Sequence, residues 1–272
     1  MLQLPNSPKL VSSDGNRAVF EISPLYPGYG VTIGNSLRRV LISSLEGAAI
    51  TSVKIKGVDH EFSSMKGVLE DVIDIIINLK KVRIKSHSTD PVVISLSAKG
   101  KGNVTAENIK ATSDVEIVNL DQHICTITED KTSIEMEITV ERGIGYVPAE
   151  MRNKEKLSVG KIAIDGIFTP IRNVNFTVEN IRVGQRTDYN KVLIDIETDG
   201  TMSPEDALKH SCDVLLEHFT IIKNIGSGAS EPSIDHRELE KELEAMKEEI
   251  KMEAMDGEEE AGTNRRKRKS SK

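Results

Sequence analysis

Residues 133–142 alternate without a break, with Ile134, Met136, Ile138 and Val140 set against Glu135, Glu137, Thr139 and Glu141. A period of two with one apolar and one polar face predicts a half-buried strand. Residues 191–200 alternate likewise and end in a turn. Residues 17–22 form a shorter strand, closed by Pro24 and Pro27. Residues 53–62 have strand character, with Val53, Ile55 and Val58 on one side. Helical periods interrupt this pattern at 33–45, with Thr32 as N-cap, and at 66–82, a helix of about four turns. A third helix has the clearest start: Ser203 at N-cap, Pro204 at N1 and Asp206 at N3 give a capping-box-like opening. It runs to about residue 224, where Gly226 supplies the stop. Strand, helix, strand, helix, a long β-rich stretch and a last helix make an α+β order, largely antiparallel, not a repeating βα alternation.

Beyond the third helix, "GSGASEP" reads as a flexible linker. Residues 235–255 read as a charged fourth helix, with Leu239, Leu243, Met246 and Ile250 spaced as two heptads. The end, "DGEEEAGTNRRKRKSSK", is charge-segregated and predicted to be disordered.

Composition narrows the classes. With 272 residues the chain is long enough for two ordinary domains, and with no Trp and 3% aromatic residues its cores must be aliphatic. A net charge of −7 argues against a body that coats itself on nucleic acid, since that needs clustered Lys and Arg. Cys125 and Cys212 stand far apart in apolar patterns, as small hydrophobes of a reducing compartment would. No secretory signal and no apolar run of ~20 residues is visible, so a cytoplasmic protein without a membrane partner is expected.

The stretch "PGYGVTIGNSLRRVL" (27–41) raises the question of a phosphate cradle. Gly28, Gly30 and Gly34 are spaced one residue longer than the dinucleotide fingerprint and lack the Gly-Lys-Ser/Thr ending of a phosphate loop. Two prolines also separate them from the preceding strand, so nucleotide binding is disfavoured. On a helical wheel Ile33, Leu37, Val40, Leu41 and Leu45 occupy an arc of about 140°. Arg39 points away from that arc, beside Asn35 and Ser43, and Arg38 sits about 100° from Arg39 at the stripe's flank. The two guanidiniums therefore do not clamp one phosphate together; the choice is between a solvated arginine pair and a protein-docking face.

The third helix is apolar over about 220° of its circumference, where a surface helix needs little more than ~100°. Either its own domain encloses it or its second edge meets another chain. The six histidines are scattered, and no acidic cluster suited to magnesium appears. No catalytic residue, cofactor site or metal site is predicted.

Residues 22–82, "ISPLYPGYGVTIGNSLRRVLISSLEGAAITSVKIKGVDHEFSSMKGVLEDVIDIIINLKKV", closely resemble the bacterial-type DNA-directed RNA polymerase α subunit. "VEIVNLDQHICTIT" (115–128), "RGIGYVPAE" (142–150) and "NFTVENIRVGQRTDYNKVLIDIETDGTMSPEDAL" (175–208) follow in that family's order, so the resemblance spans about residues 10–228. It implies a two-domain architecture: a discontinuous dimerisation domain (1–48 and 174–228) around an inserted β-rich domain (49–173), with 229–272 as linker, charged helix and tail. It implies a non-catalytic subunit of a nucleotidyltransferase complex, a homodimer on which the large β and β′ subunits assemble for transcription. Ile33, Leu37, Leu41, Leu208, Leu215, Phe219 and Ile222 are the implied dimer interface. Asn35, Arg38 and Arg39 are the implied β contact, with Arg39 foremost. Within 178–191, Arg182, Gln185, Arg186, Thr187 and Asp188 are the implied β′ contact. The compact helical domain that members usually carry beyond the linker has no counterpart in the 44 residues after Gly228, so DNA contact is expected only through the complex. The implied compartment is a bacterial cytoplasm or a plastid.

Overall fold

The computed structural model describes residues 4–151 and 160–225. Among these the chain begins with β1 (Lys9–Asp14), β2 (Arg17–Leu25), α1 (Tyr29–Ser43) and β3 (Glu46–Ile55), followed by α2 (Val72–Leu79). A run of strands comes next: β4 (Ile84–Ser86), β5 (Val92–Lys99), β6 (Gly102–Thr105), β7 (Ile109–Lys110), β8 (Val115–Ile117), β9 (His123–Ile127) and β10 (Ser133–Ile144). Then come β11 (Tyr146–Val147), β12 (Lys161–Ala163), β13 (Gly166–Ile167), the long pair β14 (Ile171–Val183) and β15 (Arg186–Thr198), and α3 (Pro204–Lys223). The chain divides after His218 into a compact unit, Met1–His218, and a C-terminal unit, Phe219–Lys272, of which only residues 219–225 are described. The linker from Gly226, the heptad segment 235–255 and the basic tail lie outside the described residues.

Two sheets organise the larger unit, and each has its own core. A four-stranded antiparallel sheet, ordered β1-β2-β15-β14, joins the two ends of the unit. Ala18, Phe20 and Ile22 of β2 and Val192, Ile194 and Ile196 of β15 alternate into a core closed by Leu37 and Leu41 of α1 and by Ala207 and Leu208 of α3. The second sheet, ordered β7-β5-β10-β3-β4-β8 with β12 added on β3, carries a larger aliphatic core. There the alternation of β10 holds from Ile134 to Ile138, with Ile134, Met136 and Ile138 buried and Glu135 and Glu137 facing solvent; Thr139, expected on the polar face, is buried beside Val140, where the register against β3 shifts. The α+β reading, with a β-rich insert between two halves of a smaller domain, describes this architecture.

Several element boundaries differ from expectation, each for a non-local reason. Helix α1 starts at Tyr29, not at 33, and Thr32 is no cap: its Oγ1 lies 3.5 Å from the Gly28 carbonyl, one turn back. The capping acceptor comes instead from β15, where Asn190 Oδ1 accepts from the N–H groups of Gly28 (2.9 Å) and Gly30 (3.3 Å). That satisfies donors which a helix start otherwise leaves orphaned.

The strand expected at 53–62 occupies Glu46–Ile55, because it pairs along its length with β10 from Ile55↔Met136 to Glu46↔Ile144. The second helix keeps only Val72–Leu79 of the expected 66–82. Gly67 takes a φ of 80°, Val68 bridges to Ile127, and the Glu70 carboxylate accepts from Thr126 N–H (2.6 Å) and Thr126 Oγ1 (3.0 Å) and lies 2.9 Å from His123 Nε2. Those ties to β9 hold residues 67–70 out of the helix.

The third helix opens as read, with Ser203 Oγ accepting from Asp206 N–H at 3.1 Å and donating to its carboxylate at 2.7 Å.

The glycines of α1 set how close the helix comes to its sheet. Gly30 and Gly34 share one face with Leu37 and Leu41, and all four are buried. A Cβ at Gly34 would lie 2.5 Å from Phe176 Cδ2, and one at Gly30 would lie 2.8 Å from Val178 Cγ1. Gly34→Ala is therefore expected to lower stability by ~1–3 kcal/mol, the usual range for overpacking. Pairing it with Phe176→Leu should recover part of the loss, as read by urea midpoints.

Glu70, with a side chain 15% exposed, makes stability depend on pH. Burial pushes its pKa up, but the hydrogen bonds from Thr126 and His123 outweigh this and leave it below the ordinary glutamate value. Its contribution is fully present above that ordinary value and is lost as pH falls through the lowered one. Glu70→Gln should cost about 1–3 kcal/mol at pH 7 and flatten the acid limb of urea midpoints measured from neutral to acid pH.

Candidate functional site

The glycine-rich turn is a structural joint whose donors are taken. The Gly28 and Gly30 N–H groups that would hold a phosphate already serve Asn190, and Gly30 faces Val178 and Asn190 instead of solvent. What the turn presents outward is the other side of α1.

There Asn35, Arg39 and Ser43 follow at intervals of four residues, all exposed, with Ser43 Oγ donating to the Arg39 carbonyl at 2.7 Å. Arg38 is exposed beside them, and neither arginine has a carboxylate partner among the described residues. Leu37 and Leu41 on the inner face hold this row against the sheet, so two guanidiniums with no carboxylate partner among the described residues stand on a fixed helix. Free cations of this kind suit carboxylates of another protein.

The second candidate segment forms the tip of the β14–β15 hairpin. Val183 pairs with Arg186, and the two-residue turn between them begins with Gly184 at a φ of 63°, the position where a type II′ turn requires glycine. Arg182, Gln185, Arg186, Thr187 and Asp188 are all exposed. Arg182 Nε donates to the Gly184 carbonyl at 2.9 Å, closing the tip. Arg186 grips Asp188 through two bonds, Nε at 3.0 Å and Nη2 at 2.7 Å. That guanidinium holds the Asp188 carboxyl below the usual carboxylate range, and Asp188 in turn raises Arg186.

The hairpin tip meets the start of α1 through an aromatic cluster that the sequence reading missed. The Arg186 guanidinium lies 5.5 Å from the ring centre of Tyr26 and 5.6 Å from that of Tyr189, and Tyr26 packs edge-on against both Tyr189 and Tyr29. The spacing of Tyr26 and Tyr29 around the glycine turn was a visible signal. Their meeting with Tyr189 depends on the β2–β15 register, Leu25↔Asn190, which no local pattern encodes. Arg38 and Arg39 lie at the far end of α1, about 15 Å along the helix from Tyr29.

The third group, the implied self-association residues, divides. Leu37, Leu41 and Leu208 are buried in the chain's own core, so they offer no exposed surface to a second copy. Ile33 and Leu215 pack at the edge of that core, while Phe219 (59% exposed) and Ile222 (58%) are bare. Leu216, Ile221 and Ile225 are bare as well, an extension the sequence reading left out of its interface.

The 52% identity of this chain to the DNA-directed RNA polymerase subunit alpha of Roseiflexus castenholzii extends over 223 residues, 82% of this chain and 68% of the relative. This chain belongs to the DNA-directed RNA polymerase alpha-subunit family. The alpha subunits of Salinibacter ruber and Clostridium botulinum are each 44% identical to it, over 248 and 243 residues, or 91% and 88% of this chain and 75% and 77% of theirs. Residues 53–169 match the model of the RNA polymerase Rpb3/RpoA insert domain and include every buried residue of the larger core except Ile50. Membership assigns the chain to a nucleotidyltransferase complex acting in transcription.

Chemistry elsewhere is sparse among the described residues. No group of three or more His, Cys, Asp and Glu gathers to hold a metal ion, and no helix is long and apolar enough to cross a membrane. Burial, and then the nearby Glu70 charge, pushes the Cys125 thiol up to about 12, so it stays protonated at neutral pH; burial likewise raises half-buried Cys212. A shallow depression of about 380 Å³ on the outer face of β3, β10 and β5, edged by the Lys56–Glu135 ion pair (2.8 Å), involves none of the candidate residues.

Proposed function

We propose that this chain is a non-catalytic assembly subunit that pairs with a second copy and carries the two large polymerase subunits, β and β′. The observation that carries the reading is the two-faced construction of its helices. The inner face of α1 closes on the chain's own sheet, while Asn35, Arg38 and Arg39 stand outside with no partner among the described residues. Likewise α3 buries Ala207, Leu208 and Ser211 near its start and leaves Leu216, Phe219 and Ile222 bare towards its end. A bare row of large apolar residues on a helix suits a matching row on a second copy, as closed two-fold pairing provides.

In this reading Arg39, with Arg38 and Asn35, meets carboxylates of β, and the β14–β15 hairpin tip meets β′. The smaller core forms the self-associating domain and the larger core the insert, with the return crossing between Phe168 and Ile171. DNA is engaged through the assembled complex, in a bacterial cytoplasm.

Arg39→Ala should leave folding and pairing intact while weakening capture of β. A charged contact truncated on one side typically costs ~2–5 kcal/mol, or roughly 30- to 4,000-fold in affinity. Wild-type capture by the variant overturns the assignment of Arg39. Phe219→Glu combined with Ile222→Glu should turn a pair into a single chain by light scattering at micromolar concentration. A wild-type chain that is itself single under those conditions removes the pairing claim.

A further inference from the structure

Arg186 is the most conspicuous cation on the hairpin tip, and its surroundings argue that it is not the group a partner touches. Two of its N–H groups are engaged by Asp188, at 3.0 and 2.7 Å, so the pair is electrically neutral as a unit. Its guanidinium carbon lies over the rings of Tyr26 and Tyr189, 5.5 and 5.6 Å from their centres, which are themselves 6.1 Å apart. Tyr26 comes from the segment joining β2 to α1, and Tyr189 from β15, so one guanidinium spans two stretches far apart in sequence. Three of the chain's four tyrosines gather here, since Tyr26 also meets Tyr29 edge-on at 6.2 Å. One residue beyond Tyr189, Asn190 ties the same strand to Gly28 and Gly30.

We propose that Arg186 is a positioning residue that locks the hairpin tip to the start of α1, and that the surface offered to the partner there is an uncharged tyrosine platform led by Tyr29. Arginine is suited to this because it can accept a carboxylate in its plane and aromatic rings on its faces at the same time, which the ammonium of lysine cannot do. Tyr29, 47% exposed and fixed against Tyr26, is the rigid amphipathic anchor typical of interface hot spots. Recognition here then rests on apolar contact and hydrogen bonding, unlike the charge proposed to act at Arg38 and Arg39. The inference rests on the reading of the hairpin tip as the β′ docking site, and it adds which residues hold the surface and which meet the partner.

The test has one arm on the full chain alone and one on assembly. In the free chain, Arg186→Lys and Tyr26→Leu should each speed amide hydrogen exchange about tenfold or more at both 183–190 and 26–30, because each breaks the tie between them. Side-chain protons of Arg186 should show ring-shifted NMR signals that Tyr26→Leu abolishes. Unchanged exchange at 26–30 in both variants, or unshifted Arg186 signals, overturns the clamp.

In assembly, capture of β′ should fall about tenfold with Arg186→Lys, although charge is kept, and its salt dependence should match wild type. Full capture by Arg186→Lys, with a flattened salt dependence in Arg186→Met, identifies a direct cationic contact and overturns the proposal. Tyr29→Ala should weaken capture without altering exchange at 183–190. If Gln185→Ala with Thr187→Ala weakens capture and Tyr29→Ala does not, the platform is wrong while the docking reading survives. If neither variant weakens it, the docking reading fails and the platform with it.

Discussion

The contact on which the rest of the smaller domain depends is the approach of α1 to the β14–β15 hairpin, backbone against side chain, with no Cβ between them at Gly30 and Gly34. Helix glycine costs roughly 0.5–1 kcal/mol relative to alanine, so two within one turn and a half are a standing expense that only tertiary contact can offset. Phe176, Val178 and Asn190 supply that contact, and Asn190 adds the acceptor for the helix's first donors. Once the helix is seated there, Leu37 and Leu41 reach the core at the next positions on the same face. The orientation of Asn35, Arg38 and Arg39 is therefore a consequence of packing on the opposite side of the helix.

The same division runs through the whole exposed surface proposed for assembly. Arg38 and Arg39 have no carboxylate partner among the described residues, whereas Arg182 and Arg186 are engaged inside the chain. Four arginines that look alike in sequence thus fall into two kinds, those with a hydrogen-bond partner in the chain and those without one among the described residues. Helix α3 repeats the division in apolar terms, with its start enclosed and Leu216, Phe219 and Ile222 bare.

What was legible in the sequence tracks how local the determining interaction is. The β10 alternation from Ile134 to Ile138, the Ser203–Pro204–Asp206 helix start and the two-sided nature of α1 depend on neighbours within a few residues, and all could be read directly. The start of α1 could not, because its capping group sits on β15, 160 residues away. The loss of residues 66–71 from the second helix was equally hidden, since Val68 and Glu70 are held by Ile127, His123 and Thr126 on another strand. Of the residues implied for self-association, Leu37, Leu41 and Leu208 carry the same apolar signal as Phe219 and Ile222; a helical wheel ranks faces but does not say which apolar face its own chain covers. The tyrosine cluster needed a strand register, which is information about pairing and not about any one segment.

The larger core is entered and left at one doorway. Glu46, at the start of β3, pairs with Ile144 and bonds Arg142 at 2.6 Å, Gly47 sits against the backbone carbonyl of Phe168, and Asp199 N–H donates to the Pro170 carbonyl. Arg83, from within the insert, reaches Asp199 at 3.7 Å beside it. For a nascent chain this geometry bears on the entropy of loop closure. β2 and α1 leave the ribosome with apolar faces whose partners, β14 and β15, are still to be made, and closing that gap through an unfolded insert costs loop entropy. An insert that folds as soon as it is complete presents its two ends side by side at this doorway. The smaller domain is then closed across a short gap, and its β2–β15 seam can form as the last strands emerge.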